Sequence, residues 1–178
     1  MIIDRTEVNA RICVNSIHRF RRRFVMVVLF MLFSSAFADG EMIPVLYTAD
    51  GSDISPPISW SICPGALSYA MICEDPDAPA GNWVHWVVYD IPGTVNALGE
   101  GVPADSELVD CTVQGTNSWG RIGYKGPAPP SGTHRYYFRL YALDVVLDLE
   151  PGATASELRE AMEDHLLDTA ELMGYYSR

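Results

Sequence analysis

Two histidines stand at the mouths of apolar segments, each framed by rigid turn residues. Asp75-Pro76-Asp77-Ala78-Pro79 follows one apolar run and precedes Trp83-Val84-His85-Trp86. The theme returns in Gly126-Pro127-Ala128-Pro129-Pro130-Ser131-Gly132-Thr133-His134-Arg135-Tyr136. Prolines fix the backbone and remove donors, so such loops hold one shape at low entropic cost. Histidines and carboxylates presented from rigid loops make a preformed polar pocket.

The same residues allow other chemistry. Asp75, Asp77, His85 and His134 form a possible N₂O₂ metal set, the basis for a metal-dependent hydrolase, although Asp-x-Asp with scattered histidines is a weak metal pattern. Cys73 with His85 would be a nucleophile and its base, but Cys73 lies in the apolar run Tyr69–Cys73, where a thiol is inert. Aspartates in Asp-Pro-Asp also serve as turn formers that bond nearby backbone N–H groups.

Several elements must position these residues. Leu67–Glu74, Trp83–Ile91 and Arg135–Leu143 read as strands, rich in β-branched and aromatic residues. Strand alternation puts Trp83, His85, Val87 and Tyr89 on one face, and Val84, Trp86, Val88 and Asp90 on the other. His134 shares a face with Tyr136, Phe138 and Leu140. Ile54–Trp60 carries two prolines and reads as an edge strand or arm. Thr94–Asp110 reads as a long surface loop. Thr154-Ala155-Ser156-Glu157 is a capping box, and Gly174 suits the far end of a helix. Leu158, Ala161, Met162, His165, Thr169, Leu172 and Met173 would then share one helical stripe, with His165 a packed or half-exposed helix residue rather than a site residue. Strands with Pro/Gly turns and no βαβ alternation predict a mainly β fold: a sandwich of antiparallel sheets, small peripheral helices and a C-terminal helix.

The N-terminus reads as a secretory leader. Arg19 and Arg21–Arg23 precede the apolar run Phe24–Phe33, and Ser34-Ser35-Ala36-Phe37-Ala38 supplies an A-x-A site. Phe24–Ala38 is 15 residues, short of the roughly 20 that a spanning helix needs. Residues 1–38 are therefore expected as a signal peptide and 39–178 as one domain, exported to a periplasmic or extracellular compartment with no stable membrane span after cleavage. The leader takes six of 12 Lys+Arg and two of 23 Asp+Glu, leaving six against 21 and a mature charge of −15. That field repels nucleic acid and anionic membrane surfaces. Cys63, Cys73 and Cys111 remain, and their spacing leaves the pairing open.

Asp75-Pro76-Asp77-Ala78-Pro79, Trp83-x-His85, Gly126-Pro127-Ala128-Pro129-Pro130-x-Gly132 and His134-Arg135-Tyr136 occur in order. Together they resemble the phosphatidylethanolamine-binding protein (PEBP) family, in its bacterial Raf-kinase-inhibitor-like branch. Ser55–Trp60 and the ending Tyr175–Arg178 fit the same branch, so the resemblance spans about residues 41–178. It implies two packed antiparallel sheets and a small pocket for phosphate, acetate-like anions or a phospholipid headgroup. Carried over position by position, the pocket would use Asp75, Pro79, Trp83, His85, Ala128, Pro129, Pro130, His134 and Tyr136. One departure stands out. Many bacterial members carry a cysteine where Ala128 stands, bonded to one near the N-terminal arm. Here Ala49-Asp50-Gly51-Ser52 offers no partner.

Residue chemistry supplies roles for these positions. His85 and His134 can each donate an N–H to an anion, with charge assistance when protonated. Asp75 or Asp77 can accept the other ring N–H and fix the tautomer. Trp83 and Tyr136 can wall the site, the Tyr136 hydroxyl serving as a further donor. If imidazolium carries binding, affinity rises as pH falls from about 8 to about 6. The expectation is an exported, non-enzymatic binding protein for a small anion or phospholipid headgroup, with no cofactor and no metal. The alternatives are a protein-interaction module acting as a kinase- or protease-inhibitor-like regulator and, less favoured, the hydrolase.

Overall fold

The computed structural model describes residues 29–178 apart from residue 148. Its strands are β1 (Leu32–Ser34), β2 (Glu41–Met42), β3 (Ile58–Trp60), β4 (Ser68–Asp75), β5 (Trp83–Pro92), β6 (Ala97–Leu98), β7 (Val113–Thr116), β8 (Thr133–Leu143), β9 (Gly152–Thr154) and β10 (Leu166–Ser177). A 3₁₀ turn spans Val45–Tyr47, and one helix, α1, spans Ala155–Met162.

The long strands form a seven-stranded sheet in the order β2-β10-β8-β4-β5-β7-β9, and a second sheet runs β1-β3-β6. The central pairs are antiparallel; β2 on β10 and β9 on β7 are short parallel additions. β4 is buried along its whole length, which explains its unbroken apolar run. Its alternate residues serve two cores. Tyr69, Met71 and Cys73 join Trp86, Tyr136 and Phe138 against Ile58, Trp60 and Leu98 of the small sheet. Ala70 and Ile72 face the other way, toward Leu158 and Met162 of α1. The expected sandwich is present.

Two sequence expectations are corrected. The capping box starts a helix at Thr154 as predicted, but the helix ends at Met162. Leu166–Ser177 is strand β10, in continuous register with β8 from Asp168↔Ala142 to Ser177↔Thr133. Ala170, Leu172 and Tyr176 are buried on one face with a period of two, while Thr169 and Met173 of the expected helical stripe fall on the other. Eleven paired positions along β8 outweigh the local helical preference. His165 falls in the turn between the two elements, half-exposed, with Nδ1 3.0 Å from Asp144 Oδ1.

The Ile58–Trp60 strand, expected at an edge, lies in the middle of the small sheet. Pro56 and Pro57 precede it and so interrupt no ladder. Residues upstream of the expected Asp39 boundary also pack on the sheets. β1 pairs with β3, and Leu32 and Phe37 are buried in the main core. The first part of the expected leader, including Phe24–Val28, lies outside the described residues. Among the described residues no helix is long and apolar enough to cross a membrane.

Candidate functional site

β4 ends at Asp75, β5 begins at Trp83 and β8 begins at Thr133, all at one end of the large sheet. The Asp75–Asn82 turn and the Gly126–Gly132 loop close over that end. Between them lies a cavity of about 260 Å³ lined by Asp75, Pro79, Trp83, His85, Ala128, Pro129, Pro130 and His134. Ala78, Ala80 and Trp119 complete the wall. Eight of the nine residues singled out in the sequence therefore converge.

Tyr136 is the exception. It lies behind the cavity, fully buried, with its ring edge-on to His85 at 5.2 Å between centroids. Its hydroxyl has no partner that meets hydrogen-bond geometry. Burial, and then the Asp75 carboxylate, push this phenol above its usual range. It supports the histidine rather than walling the cavity.

A β-bulge sets the direction of His85. Val84 pairs with Glu74 and Trp86 with Cys73, so His85 is the extra residue of β5. A bulge breaks the alternation and re-aims the side chain. Trp83 pairs with Asp75, which lies two residues from Cys73, so Trp83 and Trp86 share a face, and His85 meets Tyr136 in the same core as Trp86 instead of opposing it as strand alternation predicts.

The two imidazoles are held differently. His85 is 2% exposed, and its Nδ1 lies 2.5 Å from the Lys125 carbonyl oxygen. A carbonyl only accepts, so Nδ1 carries the hydrogen. Burial lowers the His85 pKa to about 4, against the raising effects of the Lys125 carbonyl, Asp75 and Asp53. At pH 6 to 8 this ring is neutral, and the expected charge assistance from His85 is corrected. His134 is also buried, and its Nδ1 donates to Asp75 Oδ2 at 2.7 Å.

Asp75 fills both roles weighed from the sequence. Oδ2 holds His134, while Oδ1 accepts the Asp77 N–H at 2.8 Å as a turn former does. Asp77 takes no part in the cavity. It accepts Arg135 Nε at 2.8 Å and Nη2 at 2.6 Å, and this guanidinium lowers its pKa to about 2. Among the described residues, no three His, Cys, Asp or Glu converge as a metal-binding group. Cys73 is fully buried, and burial raises its thiol pKa well above the usual value. Cys63 and Cys73 are buried, Cys111 is exposed, and all three thiols are free.

The sequence reading missed Trp119. Its ring meets Trp83 edge-on at 5.5 Å and His85 at 5.0 Å. The local signal was present as a tryptophan in the polar turn Asn117-Ser118-Trp119-Gly120. Asn117 Oδ1 accepts the N–H groups of Trp119 and Arg121, and Ser118 Oγ accepts that of Val84. The turn is thereby tied to the start of β5.

Without a cysteine at position 128, the Gly126–Gly132 loop is anchored by charge. Asp53 Oδ1 accepts the Gly126 N–H at 2.7 Å, and its other oxygen pairs with the Lys125 ammonium. Ala49 N donates to Pro127 O, and Gly132 exchanges backbone bonds with Arg178. Gly126 is required here, because a Cβ would lie 2.6 Å from Tyr47 O. The loop therefore spends two glycine N–H groups on its own anchoring, and its prolines supply none, so it offers few backbone donors to a ligand. Asp53→Asn keeps the shape and removes the charge. It should weaken loop closure by about 1 kcal/mol, read as roughly fivefold faster hydrogen exchange at Gly126. Unchanged exchange would mean that the loop is held by packing alone.

A model of the phosphatidylethanolamine-binding protein family matches residues 33–177. A UPF0098 protein of Methanothermobacter thermautotrophicus is 56% identical over 144 residues, covering 80% of this chain and 95% of its own. One from Chlamydia muridarum is 50% identical over 153 residues, covering 83% and 98%. Among solved structures, a PEBP homologue of Chlamydia trachomatis aligns with a TM-score of 0.78 at 46% identity, over 84% of this chain and 97% of that one. YbcL of Escherichia coli, described as a member of the mammalian PEBP family, aligns at 0.79 with 29% identity, over 85% and 99%.

Proposed function

Because the chain belongs to the phosphatidylethanolamine-binding protein family, we propose that its cavity binds a small oxyacid group, such as inorganic phosphate or the phosphomonoester of a free headgroup, without catalysing a reaction on it. The observation that carries this reading is the presentation of two buried imidazoles to one cavity, each with Nδ1 committed elsewhere. That commitment leaves the two Nε2 atoms as the ring nitrogens available to a ligand. Trp83, Trp119, Ala78, Ala80 and the loop prolines make the remaining wall apolar, which suits the alkyl part of an ester.

The non-catalytic part of the reading rests on how the candidate reactive groups are used. Asp77 is bound to Arg135, and Cys73 is sealed in the core. Asp75 has both oxygens engaged.

His134→Ala removes a hydrogen bond that is charge-assisted when the ring is protonated, worth about 1.5–3 kcal/mol. Binding of inorganic phosphate or phosphoethanolamine, followed by calorimetry, should weaken roughly 10- to 100-fold. His165→Ala, whose partner is Asp144 outside the cavity, should leave affinity unchanged. Equal loss in both variants would show that the cavity is not the binding site.

A further inference from the structure

We propose that this cavity selects oxyacids that still carry a proton, such as hydrogen phosphate and its monoprotonated monoesters, over fully deprotonated oxyanions of the same size. The inference rests on the oxyacid reading above and names the protonation state that the site recognises.

The tautomer of His85 is fixed by its surroundings. Its Nδ1 hydrogen is committed to the Lys125 carbonyl, so the neutral ring offers a lone pair at Nε2. An anion oxygen placed there would set lone pair against lone pair. A P–O–H group placed there donates, and the contact becomes a hydrogen bond.

Converting Nε2 to a donor would require an imidazolium at a position 2% exposed. The charged groups acting on the ring are Asp75 and Asp53, which favour it, and Lys125, which opposes it. Burial outweighs them.

The rest of the lining gives a bare anion little. No lysine or arginine lines the cavity, and its one carboxylate, Asp75, is held by His134 and the Asp77 N–H. His134 supplies a donor at Nε2 when protonated. The lining thus pairs one acceptor with one such donor. A protonated phosphate, which keeps an O–H beside its anionic oxygens, complements that pair. Sulfate has the same shape and, near neutral pH, no hydrogen to give.

A site built to bond a donor rejects an analogue that lacks it, because the buried acceptor is left unpaired. Inorganic phosphate should therefore bind at least tenfold more tightly than sulfate at pH 6, measured by calorimetry on the intact protein. In the ligand-free protein, ¹⁵N-resolved imidazole spectra at pH 6 should show His85 with hydrogen on Nδ1 and none on Nε2. On phosphate binding the Nε2 resonance should take the shift of a hydrogen-bonded acceptor. The spectra need no substitution, so they remain informative if His85 variants fail to fold.

Equal affinities for sulfate and phosphate would overturn the selection while leaving the oxyacid reading in place. A His85 ring protonated on both nitrogens at pH 6 would overturn it too. Binding of neither anion at millimolar concentration would overturn the oxyacid reading and the selection with it.

Discussion

A chain that begins at Asp39 is expected to lose cooperative folding, whereas one that begins at Leu29 keeps it. Residues 29–38 fill part of the core. Phe30 stacks on Tyr69 at 5.9 Å, and Phe37 meets Phe138 at 6.1 Å. Leu32 is buried, and β1 supplies an outer strand to the small sheet. Gly174 of β10 is shaped to this segment, since a Cβ there would lie 2.8 Å from the Phe37 ring and 2.5 Å from Ile43. Truncating a buried phenylalanine costs about 3–5 kcal/mol, and a leucine about 2–5. Losing Phe37 and Leu32 together therefore approaches the whole stability of a typical domain, about 5–15 kcal/mol. Thermal unfolding of the two chains, followed by circular dichroism, measures the difference. Equal midpoints would show that the segment is dispensable and would place the domain boundary at Asp39. Phe37→Ala in the longer chain is the milder test and should cost about 3–5 kcal/mol.

The second large effect is acid instability from His85. Its folded pKa is about 4, below the unfolded value near 6.5. The unfolded chain therefore takes up a proton first as pH falls. Stability is intact above about pH 6.5, declines between 6.5 and 4, and is lower by roughly 3 kcal/mol at the end of that window. The sign is that of a group whose pKa is depressed by folding. Urea unfolding at pH 7, 5.5 and 4.5 should show the decline. His85→Asn cannot titrate and should flatten this part of the profile, whatever its stability at pH 7. A wild-type profile as flat as that of the variant would show that His85 is exposed enough to protonate in place. Asp77 titrates lower, near 2, so its pairing with Arg135 is lost only in stronger acid.

The sequence by itself determined the fold class, the family and most of the cavity wall. Asp75, Trp83, His85, Ala128, Pro129, Pro130 and His134 lie in short segments whose turn chemistry is local, and prolines impose their geometry without help from the rest of the chain. The three long central strands were legible because β-branched and aromatic runs between turns have few other uses.

Tertiary structure alone decided the rest. Residues 32–38 are apolar and small in a pattern that suits a leader and also a buried edge strand; in the structure Leu32–Ser34 pair with β3, and such pairing is non-local. Leu166–Ser177 carries apolar residues at spacings of both two and nearly four, and only β8 beside it makes the strand win. His85 and Trp86 alternate in sequence, yet the bulge opposite Cys73 and Glu74 turns both to one core. The charge state of His85 follows from the depth at which that bulge buries it and from a carbonyl 40 residues away. Trp119 enters the wall because Asn117 and Ser118 fold its turn onto β5. Each of these outcomes depends on a partner distant in the chain, and local composition does not encode such partners.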